Sequence, residues 1–582
     1  MPEAHLDPPP DALADAPNLR AAVARALARS LHRAVADGLL PGLDDPVGAS
    51  GELAATRFEI EVSRPAKPEH GDFATSVALR LARPLGMAPP AIAGAIVEAL
   101  RAEAEAAPET EWPIASASVA GPGFINVHLT DEALERLIAR VLRDPADWGR
   151  AAADVVRHVN VEFVSANPTG PLTVGNARGA FVGDLLARVL EAGGQRVTRE
   201  YYFNDSGAQV RNLGASVLAL REGRPIPEDG YHADYVADLA RELPDELAAP
   251  GPADEDRAWA AGRWASERVR KGIEASLERL GVDFDVWTTE GSLLADGWVE
   301  RAIERLRATD HLYEQDGATW FRSTAFGDDK DRVVIRSDGS LTYFAFDIGY
   351  VVEKFSRGFD HLIYIWGADH HGTVARVRNA AEAMGFDRAA VEMILTGWVR
   401  FIRDGEEISM SKRAGTFITL DELLTELGPD AARWFFASRG ANVNMDIDIE
   451  LAKRQSSENP VYYVQYAHAR IASILRKAVD AGLAPAPGVE GLLAGEPEAR
   501  LARVVARFPE VVEDAAAAQE TQGVTTYATE LATAFHGFYR DAKVVDPAAP
   551  ERSAKRLALV EAARITLANA LALLGISAPE AM

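Results

Sequence analysis

The feature that most constrains the fold is a strand–loop–helix–strand unit centred near residue 175. Residues 157–164 are β-rich, residues 166–175 form a Pro/Gly loop, and residues 179–192 carry a helical pattern that Gly193 and Gly194 stop. Residues 195–203 are β-rich again. A strand that returns through a helix makes a crossover, so the two strands lie parallel with helices covering the sheet. The expected class is therefore α/β, with a doubly wound parallel (Rossmann-like) sheet.

Strand signals recur at 332–335, 341–346, 362–366 and 393–401. Between the two groups, residues from about 215 to 330 are long-helical and acidic, with a Pro/Gly linker at 250–254, and read as a helical insertion. Residues 19–148 read as an amino-terminal α+β module. It has a helix at 19–38, a strand at 58–63, a turn at 67–72 and a helix at 73–83. A second helix opens at Pro89 and Pro90, and a hairpin at 116–129 turns about Gly121 to Gly123. Residues 149–452 hold the sheet, and 453–582 form an all-α carboxy-terminal module. Residues 1–18 are Pro-, Ala- and Asp-rich, lack the pattern of a signal peptide, and are expected to be a disordered lead.

Composition narrows the chemistry. The chain has 582 residues, a length expected to give three or four domains, and no cysteine, which excludes thiolate zinc sites, Fe–S ligation and a cysteine nucleophile. The Ala/Leu runs are broken by charges, so no membrane span is expected. A net charge of −26 argues, taken alone, against a general polyanion binder. The acidity is uneven, however. From Ser456 onward there are 12 basic and 15 acidic side chains, so that module is close to neutral.

Four motifs carry chemistry. In the first, Glu162, Ser165, Asn167, Thr173, Gly175 and Asn176 lie on or beside the loop after the first strand. A Gly-rich loop that opens a helix can present backbone N–H groups to a phosphate, or can simply be a tight crossover. It is not a Walker A loop. In the second, Ser409, Met410, Ser411, Lys412 and Arg413 precede Gly415. This small-residue loop with two cations can close over a phosphate, or it can be a solvated basic turn. In the third, Tyr343 and Asp347 are expected near the end of a strand and, with Glu162 and Asn167, offer acids and a phenol suited to a guanidinium. The alternative is ordinary surface acids, and sequence alone does not bring them together. In the fourth, Gly367, Asp369, His370 and His371 form an Asp-His-His turn. Helix capping with polar cleft histidines explains it, and no metal ligand is assigned.

Together these segments resemble the arginyl-tRNA synthetases, a family of class I aminoacyl-tRNA synthetases. The resemblance spans nearly the whole chain after the lead. Its carriers are His70-Gly-Asp-Phe-Ala-Thr, Val161-Glu-Phe-Val-Ser-Ala-Asn-Pro-Thr-Gly-Pro, Tyr201-Tyr-Phe-Asn204-Asp205 and Gly367-Ala-Asp-His-His-Gly. Others are Met410-Ser-Lys-Arg-Ala-Gly, similar to the family's KMSKS loop, Tyr462-Tyr-Val-Gln-Tyr-Ala-His-Ala-Arg470, and Leu573-Leu-Gly-Ile-Ser-Ala-Pro. The resemblance implies an arginine–tRNA ligase that forms arginyl-adenylate from L-arginine and ATP with Mg²⁺, then charges the 3′ end of tRNA(Arg). It also implies a cytoplasmic, monomeric enzyme whose activation step depends on tRNA. By match, Glu162 and Asp347 hold the guanidinium beside Tyr343, Ser165 and Asn167 orient the amino-acid head group, and Lys412 neutralises phosphate charge. Thr173, Gly175, Asn176, Gly367, Asp369, His370, His371, Met410, Ser411 and Lys412 surround ATP.

The chain departs from the family at its HIGH-type tetrapeptide, which reads Thr173-Val-Gly-Asn176 and has lost both histidines. Ser409 also replaces the first KMSKS lysine. Neutral donors stabilise developing phosphate charge less than charged ones. Two other readings therefore stand beside the ligase: a weakened paralogue that binds arginine or tRNA, and a non-catalytic acidic helical scaffold. The net charge requires that any tRNA follow a local basic path.

Overall fold

The βαβ unit folds as its pattern requires. In the computed structural model, which describes residues 16, 18–41, 60–106, 112–153, 155–205, 207–249, 254–408 and 419–582, strand β1 (His158–Glu162) leads through α1 (Val174–Ala192) to β2 (Arg196–Phe203). The long helix α2 (Asp254–Leu280) precedes β3 (Val286–Thr289) and the short α3 (Glu290–Ala295). Helix α4 (Tyr343–Ser356), β4 (His361–Gly367), α5 (His371–Ala383) and β5 (Val391–Thr396) complete the layer. The sheet runs β5-β4-β1-β2-β3, all parallel. The winding direction reverses between β1 and β4, the point at which doubly wound folds carry their ligand crevice, beyond the carboxyl ends of the strands.

The two faces of β1 do different work, because side chains alternate along a strand. Val159, Val161 and Phe163 are buried on one face. Helix α1 crosses that face so closely that a Cβ on Gly183 would lie 2.1 Å from the Phe163 ring. The other face is polar yet buried, with Asn160 0% and Glu162 4% exposed. In register, Tyr364 of β4, Glu162 of β1 and Glu200 of β2 lie side by side. Polar groups so buried need partners, and α4 supplies several of them.

The structure differs from the sequence reading at several points, each with a physical cause. Residues 73–75 form a strand paired with 125–127, and the helix begins at Val77. Burial of Phe73 and Thr75 on one side of that strand outweighs helical propensity. Helix α1 begins at Val174 rather than 179, because Thr173 and Asn176 cap it. Tyr343 and Asp347 lie on a helix, not near a strand end: Thr342 accepts the Ala345 N–H, and Phe344, Ala345, Ile348, Val351 and Val352 make a buried helical stripe. That stripe decides against the β-propensity of the aromatic run. The expected strand at 393–401 is two strands, β5 and Val399–Arg403, interrupted at Gly397 where a Cβ would sit 2.8 Å from the Val443 backbone. The segment 215–330 is helical as expected but also contributes β3 to the main sheet. Its Ala318–Phe321 pairs with Leu312–Gln315 on one side and Arg332–Ile335 on the other in a separate antiparallel sheet.

After Leu420–Leu427 (α6) and Pro429–Ala437 (α7), the carboxy-terminal module packs Pro460–Asp480 (α8), Glu496–Ala506 (α9), Phe508–Ala518 (α10), Gln522–Asp541 (α11) and Pro550–Leu573 (α12). The amino-terminal module contacts this bundle through Arg64 on Glu510 at 2.8 and 2.9 Å and Arg503 on Asp72 at 3.0 Å. Buried Arg433 of α7 ties three parts together: it bonds Asp184 of α1, the Leu280 carbonyl at 3.1 Å and the Leu574 carbonyl at 2.7 Å. Among the described residues, no helix is long and apolar enough to cross a membrane.

Candidate active site

The crevice at the carboxyl end of β1 begins with strained backbone. Val164 and Ser165 both adopt left-handed φ, +66° and +40°, a conformation that costs non-glycine residues of order 1–3 kcal/mol each. The strain is held by neighbours. The Tyr201 hydroxyl accepts from the Ala166 N–H at 3.1 Å and donates to its carbonyl at 3.0 Å. The Ser165 hydroxyl donates to Glu162 Oε1 at 3.1 Å and accepts from the Tyr202 N–H at 3.1 Å. The turn thus brings Ser165 back onto Glu162 and leaves Asn167 exposed.

Three carboxylates converge here. Glu162 also accepts from Lys354 Nζ at 2.6 Å. Glu290, the first residue of α3, is 5% exposed and accepts from the Tyr202 hydroxyl at 2.9 Å and Asn204 Nδ2 at 3.1 Å. Asp347 lies one turn beyond Tyr343 on α4, so the two share a helix face. Burial, then Glu162 and Glu290, push the Asp347 carboxyl up to about 7, with Arg376 of α5 opposing them. Burial and Glu290 likewise push the Tyr202 phenol up. Tyr343 itself is 66% exposed. Three acids drawn together, one of them raised to about 7, with an exposed phenol one turn away on α4, favour a compact cation.

The structure thus brings Glu162, Ser165 and Asp347 together, with Tyr343 on the same helix as Asp347. Glu290, Arg376 and Lys354 were not anticipated. Tyr202 and Asn204 lay within a quoted segment, but Glu290 follows an unremarkable strand 86 residues after Asn204, with no local signal of its place.

On the other side of the crevice, Thr173 and Asn176 bond each other. The Thr173 hydroxyl donates to Asn176 Oδ1 at 2.9 Å, and its N–H donates to the same oxygen at 3.2 Å. They therefore cap α1, whose exposed Gly175 lies in the first turn. Backbone N–H groups at such an end attract phosphate without any side-chain charge. Gly367 ends β4, and a short turn through His370 leads to His371, the first residue of α5. Both histidines are exposed, and the His370 ring lies 5.7 Å from Trp366. Met410, Ser411 and Lys412 lie outside the described residues, as does the side chain of Asp369. The chain re-enters beside the α1 cap: the Leu420 N–H donates to the Leu172 carbonyl at 2.9 Å, and Thr419 bridges to Thr173.

A second cluster lies on α8 and α11. Tyr462 and Tyr466 stack with centroids 6.4 Å apart, and His536 lies 5.2 Å from Tyr463 and 6.1 Å from Tyr466. Arg470 covers Tyr539 at 4.5 Å, and Tyr466 is 43% exposed.

Comparison with known proteins identifies the domains that the chain carries. Residues 18–129 match the arginyl-tRNA synthetase N-terminal domain, 254–454 the class I (R) tRNA synthetase catalytic domain, and 464–582 the DALR anticodon binding domain. The chain is 44% identical over 532 residues to the arginine–tRNA ligase of Bacillus licheniformis, covering 90% of this chain and 94% of that one. The fold is shared with the arginyl-tRNA synthetase of Thermus thermophilus, at TM-score 0.73 and 24% identity over 97% of this chain and 100% of that one. It is shared too with that of Plasmodium falciparum, at TM-score 0.70 and 16% identity over 97% and 99%. On the identity and coverage of the Bacillus relative, this chain belongs to the arginyl-tRNA synthetase family of class I aminoacyl-tRNA synthetases.

Proposed function

We propose that the crevice activates L-arginine with ATP and passes the arginyl group to the 3′ end of tRNA(Arg). The observation that carries this is the convergence of Glu162, Glu290 and Asp347 under the exposed Tyr343, an arrangement suited to a guanidinium. Asp347 and Glu162 take the guanidinium, with Glu290 beside them. Ser165 and Asn167 orient the amino-acid head group. The arginine carboxylate then attacks the α-phosphorus of ATP, and pyrophosphate leaves. A terminal ribose hydroxyl of the tRNA next attacks the carbonyl of the adenylate and releases AMP. The chain contributes mainly position and electrostatics.

ATP lies across the switch point, with its phosphates toward the first turn of α1. The neutral Thr173–Asn176 cap fits a phosphate through backbone N–H groups at Val174 and Gly175. Gly367, Asp369, His370 and His371 border the nucleotide at the end of β4, Met410 and Ser411 border it from the later loop, and Lys412 and Arg413, with the two histidines, supply the charge that the cap lacks. Among the described residues no cluster of His, Asp or Glu could hold a metal ion, so Mg²⁺ would be held chiefly by the nucleotide and would offset phosphate charge when bound. The Tyr462, Tyr466, His536 and Arg470 cluster offers stacking faces and a cation to unpaired anticodon bases. The chain acts as a cytoplasmic monomer, as the family resemblance implies.

The test is ATP–pyrophosphate exchange with arginine, with and without tRNA(Arg). Exchange at an ordinary synthetase rate that requires tRNA supports the reading. Binding of tRNA without exchange points to a weakened paralogue, and absence of both to a scaffold.

A further inference from the structure

Lys354 is a lysine in an unusual place. It is 0% exposed, and its Nζ lies 2.6 Å from Glu162 Oε2. The rings of Tyr350 and Tyr364 lie 4.2 and 4.0 Å from the same atom. Ser165 holds the other oxygen of Glu162, so both ends of that carboxylate are fixed. Behind it, Glu200 accepts from Tyr350, Thr288 and Asn160 at 2.5 Å each and from Arg357 at 2.8 Å. Arg357 is also bonded to Glu353 at 2.9 Å. The charged and titratable groups around the pair are therefore Glu200, Arg357, Glu353, Tyr350 and Tyr364 behind it, and Asp347, Glu290, Tyr202 and Arg376 in front.

A buried ion pair is a costly way to hold a core together, since apolar residues of the same volume often do as well or better. Its retention makes sense where one of the charges is used. Lys354 and Asp347 are seven residues apart on α4, two turns along one helix face. One helix thus presents an acid to the crevice and, behind it, the cation that holds a second acid. We propose that Lys354 is a positioning residue for arginine: from behind the crevice it orients Glu162 toward the substrate cation and offsets that carboxylate's charge. This rests on Glu162 binding arginine.

The experiment compares Glu162→Gln, Lys354→Met and the double variant in the full-length chain. Arginine KM and its pH profile are measured by tRNA-dependent pyrophosphate exchange. If Lys354 acts through Glu162, Lys354→Met raises arginine KM by about 100-fold, leaves ATP KM within about twofold, and moves the pH midpoint of arginine kcat/KM up by about one unit or more. Adding it to Glu162→Gln then costs less than about twofold. Failure of Lys354→Met to fold while the neutral double variant folds also supports the proposal, because it isolates the uncompensated acid. The proposal is overturned if the two losses multiply, if the pH midpoint stays in place, or if both variants fail to fold. If Glu162→Gln alone leaves arginine KM unchanged, the assignment of Glu162 to arginine fails, whatever Lys354 does.

Discussion

If Asp347 holds the guanidinium as proposed, its elevated carboxyl makes arginine binding a proton-linked event. In the free protein this group sits near 7, so about half of the molecules carry the proton at neutral pH. A guanidinium requires the carboxylate, so binding must release that proton. The competent fraction is about 9% at pH 6 and about 91% at pH 8 for a group titrating near 7, and apparent affinity scales with that fraction. Arginine KM should therefore fall about tenfold between pH 6 and pH 8. The sign is fixed by the direction of the shift: a raised carboxyl binds its proton more tightly, so low pH competes with the substrate. Measuring arginine KM across this range by tRNA-dependent exchange gives the first check. Calorimetric titration with arginine in two buffers of different ionisation enthalpy should show about half a proton released per arginine at pH 7. Asp347→Asn should remove the dependence and raise arginine KM by about 30-fold or more, with ATP KM nearly unchanged. A flat KM from pH 6 to pH 8 in the unaltered chain, or equal losses for arginine and ATP in the variant, would refute the assignment.

Three other outcomes follow from the geometry. Gly183→Ala should cost about 1–3 kcal/mol in denaturant unfolding, because its Cβ would press on Phe163; an unchanged midpoint would mean that α1 can retreat freely. Tyr466→Ala should weaken tRNA(Arg) binding by about 1–3 kcal/mol while leaving arginine KM at saturating tRNA unchanged, as filter binding and exchange assays would show. Restoring histidine at Thr173 and Asn176 together should raise the exchange rate or leave it unchanged; collapse of activity in a folded protein would show that the crevice is built around the mutual cap of these two residues.

The parallel sheet was legible because it depends on local information: a β-rich run, a Gly-rich loop, a capped helix and a second run. The carboxy-terminal helices were legible for the same reason. Tyr343 and Asp347 are candidate site residues that the sequence places on the wrong element, since an aromatic run reads as a strand until the cap at Thr342 and the buried stripe behind it are seen. Glu290 and Lys354 could not be found from pattern. Their meaning comes from neighbours more than 80 residues away, Asn204 for one and Glu162 for the other. Electrostatic crowding is a property of three-dimensional approach, and a sequence shows which acids exist without showing which of them meet.

The strand order also has a consequence for how the chain is made. β1 pairs with β2 within about 40 residues, but its other neighbour, β4, lies about 200 residues downstream. At about 5–20 residues per second of synthesis, one edge of β1 waits for roughly 10–40 s before its partner emerges. An open apolar edge held that long would invite pairing with other nascent chains. Alternation along β1 places His158, Asn160 and Glu162 on one face, so the waiting strand carries polar side chains and a charge. The acid that later heads the crevice therefore serves first as a guard on a half-finished sheet.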